Sequence, residues 1–141
     1  IGEAMATPLI LALKQTLDPS RLNLLDCPPG ASCSMIAAVR GSRLVILITE
    51  PTPFGLNDLQ MAVAALRELA QPFCVVINRD GIGDNRVTSY CEQEEIEIIE
   101  RIPFDRDIAT LYAAGNLPYG NHVGFTQSIN RIADMISEAI S

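Results

Sequence analysis

The chain has 141 residues, 48% of them hydrophobic, with a mean hydropathy of +0.23 and a net charge of −7. That length suits one domain, 1–141, with a sizeable core, and the composition excludes long disorder. Nine of the ten basic residues are Arg and Lys14 is the single Lys, so the acidic balance excludes a broad nucleic-acid or anionic-membrane surface.

Glu3 to Leu17 reads as a helix with Met5, Leu9, Ala12 and Leu13 near one face and Pro8 as a defect. Asp18-Pro19-Ser20 ends it. Leu22-Asn23-Leu24-Leu25 reads as a short buried strand, closed by Asp26-Cys27-Pro28-Pro29-Gly30. Ser32 to Val39 is a short helix stopped by Gly41. Leu44 to Ile48 is a second strand ending in Thr49-Glu50-Pro51. From Gly55 to Ala70, Leu56, Leu59, Val63, Leu66 and Ala70 follow the helical period.

Phe73 to Ile77 is a third strand ending in Asn78-Arg79-Asp80, followed by a Gly81-Ile82-Gly83 loop. Asp84 or Asn85 can cap a helix over 86–94. Ile96 to Ile102 is a fourth strand whose Glu97 and Glu100 point to an edge position, and Asp105 can cap a helix over 106–114. Phe125, Ile129, Ile132, Ile136 and Ile140 predict a last helix with one wet face. Apolar strands alternating with helices predict a three-layer α/β fold, its mostly parallel sheet covered by helices on both faces. No run approaches the roughly 20 residues of a membrane span, and no secretory leader pattern opens the chain. Cys27, Cys33, Cys74 and Cys91 lack C-x-x-C spacing, which predicts free thiols in a cytoplasmic protein.

Open parallel sheets bind ligands at the carboxyl ends of their strands, so the residues there are the candidate site. Asp26 after a strand fits a carboxylate that holds a cation or its water, and equally fits a turn cap. Asn78 offers a donor and an acceptor to a purine edge, and Arg79 can stack on the base. Gly81 stands where a guanine-reading Asn-Lys-x-Asp pattern has its Asp, which favours adenine. Pro103-Phe104-Asp105 can flank the base while Asp105 caps a helix. Glu50-Pro51-Thr52-Pro53 places Glu50 where it can reach a water-filled site but reads first as an ordinary solvated loop, and His122 has no acid near it in sequence and is given no role. No G-x-x-x-x-G-K-[ST] loop and no G-x-G-x-x-G occurs, so this sequence contains no phosphate cradle of its own and no dinucleotide fingerprint.

At Asp26-Cys27-Pro28-Pro29-Gly30, Thr49-Glu50-Pro51-Thr52-Pro53-Phe54-Gly55, Val76-Ile77-Asn78-Arg79 and Ile102-Pro103-Phe104-Asp105 the chain resembles the carboxyl-terminal part of MinD/ParA/cobyrinic acid a,c-diamide synthase-type P-loop ATPases, a partial P-loop NTPase (Rossmann-like) fold. The nearest branch is the MinD-like ATPases with an inserted ferredoxin domain. The likeness begins at Ile1-Gly2-Glu3 and covers nearly the whole chain. It implies Asp26 at the Walker B position, as catalytic acid and Mg²⁺ partner, and Pro28, Pro29 and Gly30 as the second switch. It implies Asn78 and Arg79, with Pro103, Phe104 and Asp105, around adenine. ATP, Mg²⁺ and a nucleotide-sandwich homodimer follow from the same likeness. The Walker A loop, and any iron–sulfur cluster of a ferredoxin insert, are expected upstream in a longer protein, so turnover by this chain alone is not expected. The alternative is a non-catalytic α/β module that self-associates or docks a partner.

Overall fold

The computed structural model describes residues 3–140. Ile1 and Gly2 of the resemblance lie outside the described residues, and Met5 and Ile140, expected on apolar helix faces, lie outside the described side chains. Six helices and three strands run in the order α1 (Glu3–Lys14), α2 (Cys33–Val39), β1 (Val45–Thr49), α3 (Pro53–Glu68), β2 (Phe73–Asp80), α4 (Arg86–Gln93), β3 (Ile98–Pro103), α5 (Arg106–Ala113) and α6 (Val123–Ile140). The strands form one parallel sheet in the order β1-β2-β3. The fold is α/β, as the strand–helix alternation requires. None of the described helices is long and apolar enough to cross a membrane.

The two faces of β2 separate the helices. Val75 and Ile77 pack with Leu59 and Val63 of α3 and Val87 and Cys91 of α4. Met35 and Val39 of α2 join Leu66 of α3 on the same side, with Val45 and Leu47 of β1 against them. On the opposite face, Val76 is fully buried and its neighbour in register, Glu100, meets Arg131 of α6. Each fully buried Leu, Ile or Val in these layers contributes about 1.5–3 kcal/mol of apolar burial. Cys74, on that same strand, has its thiol pushed up to about 11, first by burial and then by Glu97. It behaves as a packed apolar group rather than a nucleophile.

Local chemistry sets the helix ends. Ser32 and Thr52 cap α2 and α3, the latter accepting the Gly55 N–H at 3.0 Å, with Pro53 where a missing N–H costs nothing. Lys14 Nζ donates to the carbonyl oxygens of Ala37, Ala38 and Arg40 at 3.2, 2.8 and 2.6 Å. The chain's one ammonium therefore neutralises the carbonyl end of α2, where the helix dipole is negative.

The expected strand at Leu22–Leu25 does not form. The segment is not in the sheet, and Leu22 and Leu24 are 58% and 76% exposed. An extended segment needs a neighbouring strand for its N–H and C=O groups and a cover for its side chains, and among the described residues neither is supplied. The sheet thus has three strands rather than four. β2 also runs three residues further than its apolar run, through Asn78, Arg79 and Asp80.

The Glu100 side chain is nearly sealed from solvent, at 8% exposure, the lowest among the carboxylates of the described ion pairs. Arg131 donates to it from Nε and from Nη2, the latter at 3.2 Å, and this hydrogen bonding holds its pKa below the usual carboxylate value. Arg131→Ala is expected to lower the urea midpoint at neutral pH. Since the folded carboxyl titrates lower than the unfolded one, this contribution is complete above the ordinary carboxylate range and fades as pH falls through the folded value. The gap between wild type and variant should therefore narrow in acid.

Candidate functional site

Three consecutive strand ends converge at the carboxyl edge of the sheet. β2 pairs with β3 through register irregularities between Val75 and Val76 and between Ile77 and Asp80, and within the second Arg79 adopts φ +55°. A left-handed arginine costs free energy, and its surroundings hold it there. The Arg79 guanidinium lies 3.3 and 3.4 Å from the two carboxylate oxygens of Glu50, just beyond β1, and 5.5 Å from the centroid of the Phe104 ring, just beyond β3. One side chain clasps all three strand ends by an ion pair and a cation–π contact. The Phe104 N–H donates to the Asp80 carbonyl at 2.8 Å, and Arg101 stands 3.7 Å from the Asp80 carboxylate.

A cavity of about 400 Å³ opens beside this clasp, toward α5 and α6. Asn78, Arg79, Pro103, Phe104 and Asp105 all line it. Ile102, Ile108 and Phe125 give it an apolar floor. The Asn78 side chain is half-buried and, among the described residues, its amide finds no hydrogen-bond partner. The amide stays accessible to solvent beside a mostly apolar cleft, so its donor and acceptor are free to meet a group that enters.

Asp105 is fully engaged on its protein side. Oδ1 accepts the Asp107 N–H at 2.8 Å, capping α5 as expected, and Oδ2 lies 3.1 Å from His122 Nε2. These bonds hold its pKa below the usual value, the Asp107 amide first and His122 second. The sequence reading gave His122 no role because its acid is 17 positions away; both residues stand at helix starts that the fold brings together. Glu50, read as part of a solvated loop, is instead the partner of Arg79. The Glu–Arg pairing across two strand ends had no local signal.

Asp26, Pro28, Pro29 and Gly30 do not line this cavity. Asp26 is exposed and, among the described residues, makes no hydrogen bond or ion pair. Cys27 anchors the turn, packing against the cluster of Met35, Val39 and Leu66; its thiol is raised by burial and then by the Asp26 charge. Gly30 takes φ +81° to turn the chain toward α2. No group of three or more His, Cys, Asp or Glu gathers among the described residues. A free carboxylate suits Mg²⁺, which keeps most of its waters and takes only one or two protein carboxylates. The cavity lining offers an amide and an aromatic ring to a planar ligand, while Asp26 stands apart from it after a segment that forms no strand. These residues do not fit a triphosphate, because Lys14 is committed to α2.

A cleft with a mostly apolar lining and a few polar groups at the carboxyl edge of a parallel sheet is where open α/β sheets commonly take small ligands. No family model matches the chain. It is similar to the uncharacterized protein MJ0579 of Methanocaldococcus jannaschii, 30% identical over 94 residues, which span 67% of this chain and 32% of that protein. It is also similar to the uncharacterized protein MJ0578 of the same organism, 26% identical over 142 residues, 99% of this chain and 49% of that protein. The chain therefore spans about half or less of the length of these curated relatives.

Proposed function

We propose that this chain is the base-binding and switch half of a cytoplasmic P-loop ATPase domain of the MinD/ParA/cobyrinic acid a,c-diamide synthase type, working with ATP and Mg²⁺ as a nucleotide-sandwich homodimer. The observation that supports this reading is the convergence of Asn78, Arg79, Pro103, Phe104 and Asp105 on one cavity at the carboxyl edge of a parallel sheet. Asn78 would read the purine edge, and Phe104 with Arg79 would offer it a face. Asp26, free of internal partners, would hold Mg²⁺ through water. When bound, the ion supplies charge stabilisation to the phosphates. The phosphate cradle would come from sequence outside this chain, in a protein of the relatives' length.

Mg-ATP binding by calorimetry tests this reading. The chain alone is expected to bind weakly, through the base. The same chain extended upstream to the length of its relatives should bind roughly 100-fold more tightly, the scale of a set of charge-assisted phosphate contacts. An extended protein with no affinity for ATP would overturn the proposal. The second reading, a non-catalytic module, draws on Leu22, Leu24 and Ile48, which are 58%, 76% and 70% exposed. It requires light scattering to show association that ATP does not change.

A further inference from the structure

The Asp105 carboxylate is an unusual wall for a cleft, because its orientation and its hydrogen-bonding polarity are both set from behind. His122 Nδ1 accepts the Phe125 N–H at 3.0 Å. That bond leaves the ring proton on Nε2, which then donates to Asp105 Oδ2 at 3.1 Å. The ring has little freedom to do otherwise. The His122 side chain is 19% exposed, and its backbone is held as well: the main-chain N–H donates to the Pro118 carbonyl at 2.8 Å, and the main-chain carbonyl accepts from both the N–H and the hydroxyl of Thr126. The other carboxylate oxygen is held by the Asp107 N–H.

Two consequences follow for the cavity. The Asp105 carboxyl is ionised at neutral pH, so every lone pair it has left accepts and neither of its oxygens donates. Since both oxygens are fixed, the carboxylate cannot rotate away from an unsuitable group. A ligand edge that presents an N–H₂ group meets an acceptor there. One that presents a carbonyl oxygen meets a negative charge and loses contact with water at the same time.

We propose that His122 is a positioning residue that makes the cleft selective for 6-aminopurines over 6-oxopurines, by fixing Asp105 as an acceptor beside the open amide of Asn78. The inference rests on the nucleotide reading above and adds to it a residue and a discrimination. His122 touches no ligand in this scheme and acts through Asp105.

The probes are adenosine and inosine, which differ at the 6-position and carry no phosphate, so the missing cradle does not enter. Amide NMR titrations of the chain give both affinities. In the wild type, adenosine is expected to shift the signals of Asn78, Phe104 and Asp105 and to bind about tenfold more tightly than inosine, a modest ratio for a carboxylate still 38% exposed. His122→Ala should bring the two nucleosides to within about threefold of each other, mostly by weakening adenosine. Asp105→Asn keeps a good helix cap and near-identical shape but replaces one acceptor with a donor, and should also erase the preference. Asp105→Asn is expected to fold, since Asn is a favoured helix cap of nearly the same shape, and so tests the acceptor where His122→Ala does not fold. A preference unchanged in both variants would overturn the role of His122 and Asp105 and leave the nucleotide reading standing. Adenosine that leaves the cleft signals of the wild type unmoved would overturn the nucleotide reading itself.

Discussion

Asp26→Asn, in a polypeptide extending this chain upstream to the length of its relatives, is expected to lower ATP hydrolysis by on the order of 10²–10³-fold, the cost of removing one preorganised charge from a transition state. ATP affinity should change by less than about threefold, because base and phosphate contacts remain. The melting temperature should be unchanged within roughly one degree, since Asp26 is exposed and no described side chain depends on it. The substitution isolates charge, because Asn keeps the size, the turn preference and most of the hydrogen bonding of Asp. The split between turnover and binding is the informative result. An equal loss of both would make Asp26 a structural cap of the Pro28-Pro29-Gly30 turn. Normal turnover by the variant would remove Asp26 from the site altogether.

How far this site was legible in the sequence depended on whether its determinants are local. Helices were readable because period and cap lie within a few residues: Asp105 caps α5 as expected, and Ser32, read as the first residue of its helix, is the cap of α2. Thr52-Pro53 moved the start of α3 ahead of the expected Gly55, since a cap followed by proline at the first turn outranks the first apolar residue of the stripe. The apolar run of β2 was readable because a strand buried on both faces needs no alternation, and β1 carries a similar run although its Ile48 stays exposed. Leu22–Leu25 has the same composition, yet composition only permits a strand. Pairing requires a neighbour at about 4.8 Å, and none of the described strands stands beside it.

The cleft itself was legible in outline, because residues after consecutive parallel strands must share one edge. Asn78, Arg79, Pro103, Phe104 and Asp105 meet for that topological reason. What holds them was not legible. The left-handed Arg79 arises from a register slip between β2 and β3, a property of the pair of strands rather than of either one. Its partner Glu50 lies 29 positions away, and His122 reaches Asp105 across 17. Supporting contacts of this kind form after the fold does, so a residue can be indispensable to a site and still sit in a stretch that reads as plain loop.

Gly83→Ala is expected to destabilise the chain by ~3 kcal/mol, at the upper end for a single overpacking change, and to lower the melting temperature by about 10 °C. The loop after β2 crosses the loop after β1 so closely that a Cβ on Gly83 would stand 1.5 Å from the Pro51 carbonyl oxygen and 2.7 Å from its carbonyl carbon. Pro51 is buried, and its neighbour Glu50 also faces Gly55, where a Cβ would come within 2.3 Å of the Glu50 carbonyl. No flexible side-chain end is available to yield; two backbones must part. Gly81, two positions earlier, separates this cause from conformational strain: it has φ +99° and nothing within 4 Å of an added Cβ. Gly81→Ala should therefore cost only about 1 kcal/mol, from the backbone angle alone. The same displacement should reach the cleft, because Glu50 lies on the first of these loops, Arg79 lies at the end of β2 just before the second, and their ion pair is 3.3 Å long. The amide signals of Arg79 and Phe104 should shift in Gly83→Ala and stay put in Gly81→Ala. Equal melting temperatures for the two variants would mean that the loops are not locked through this contact and that the clasp at the strand ends is held by the ion pair alone.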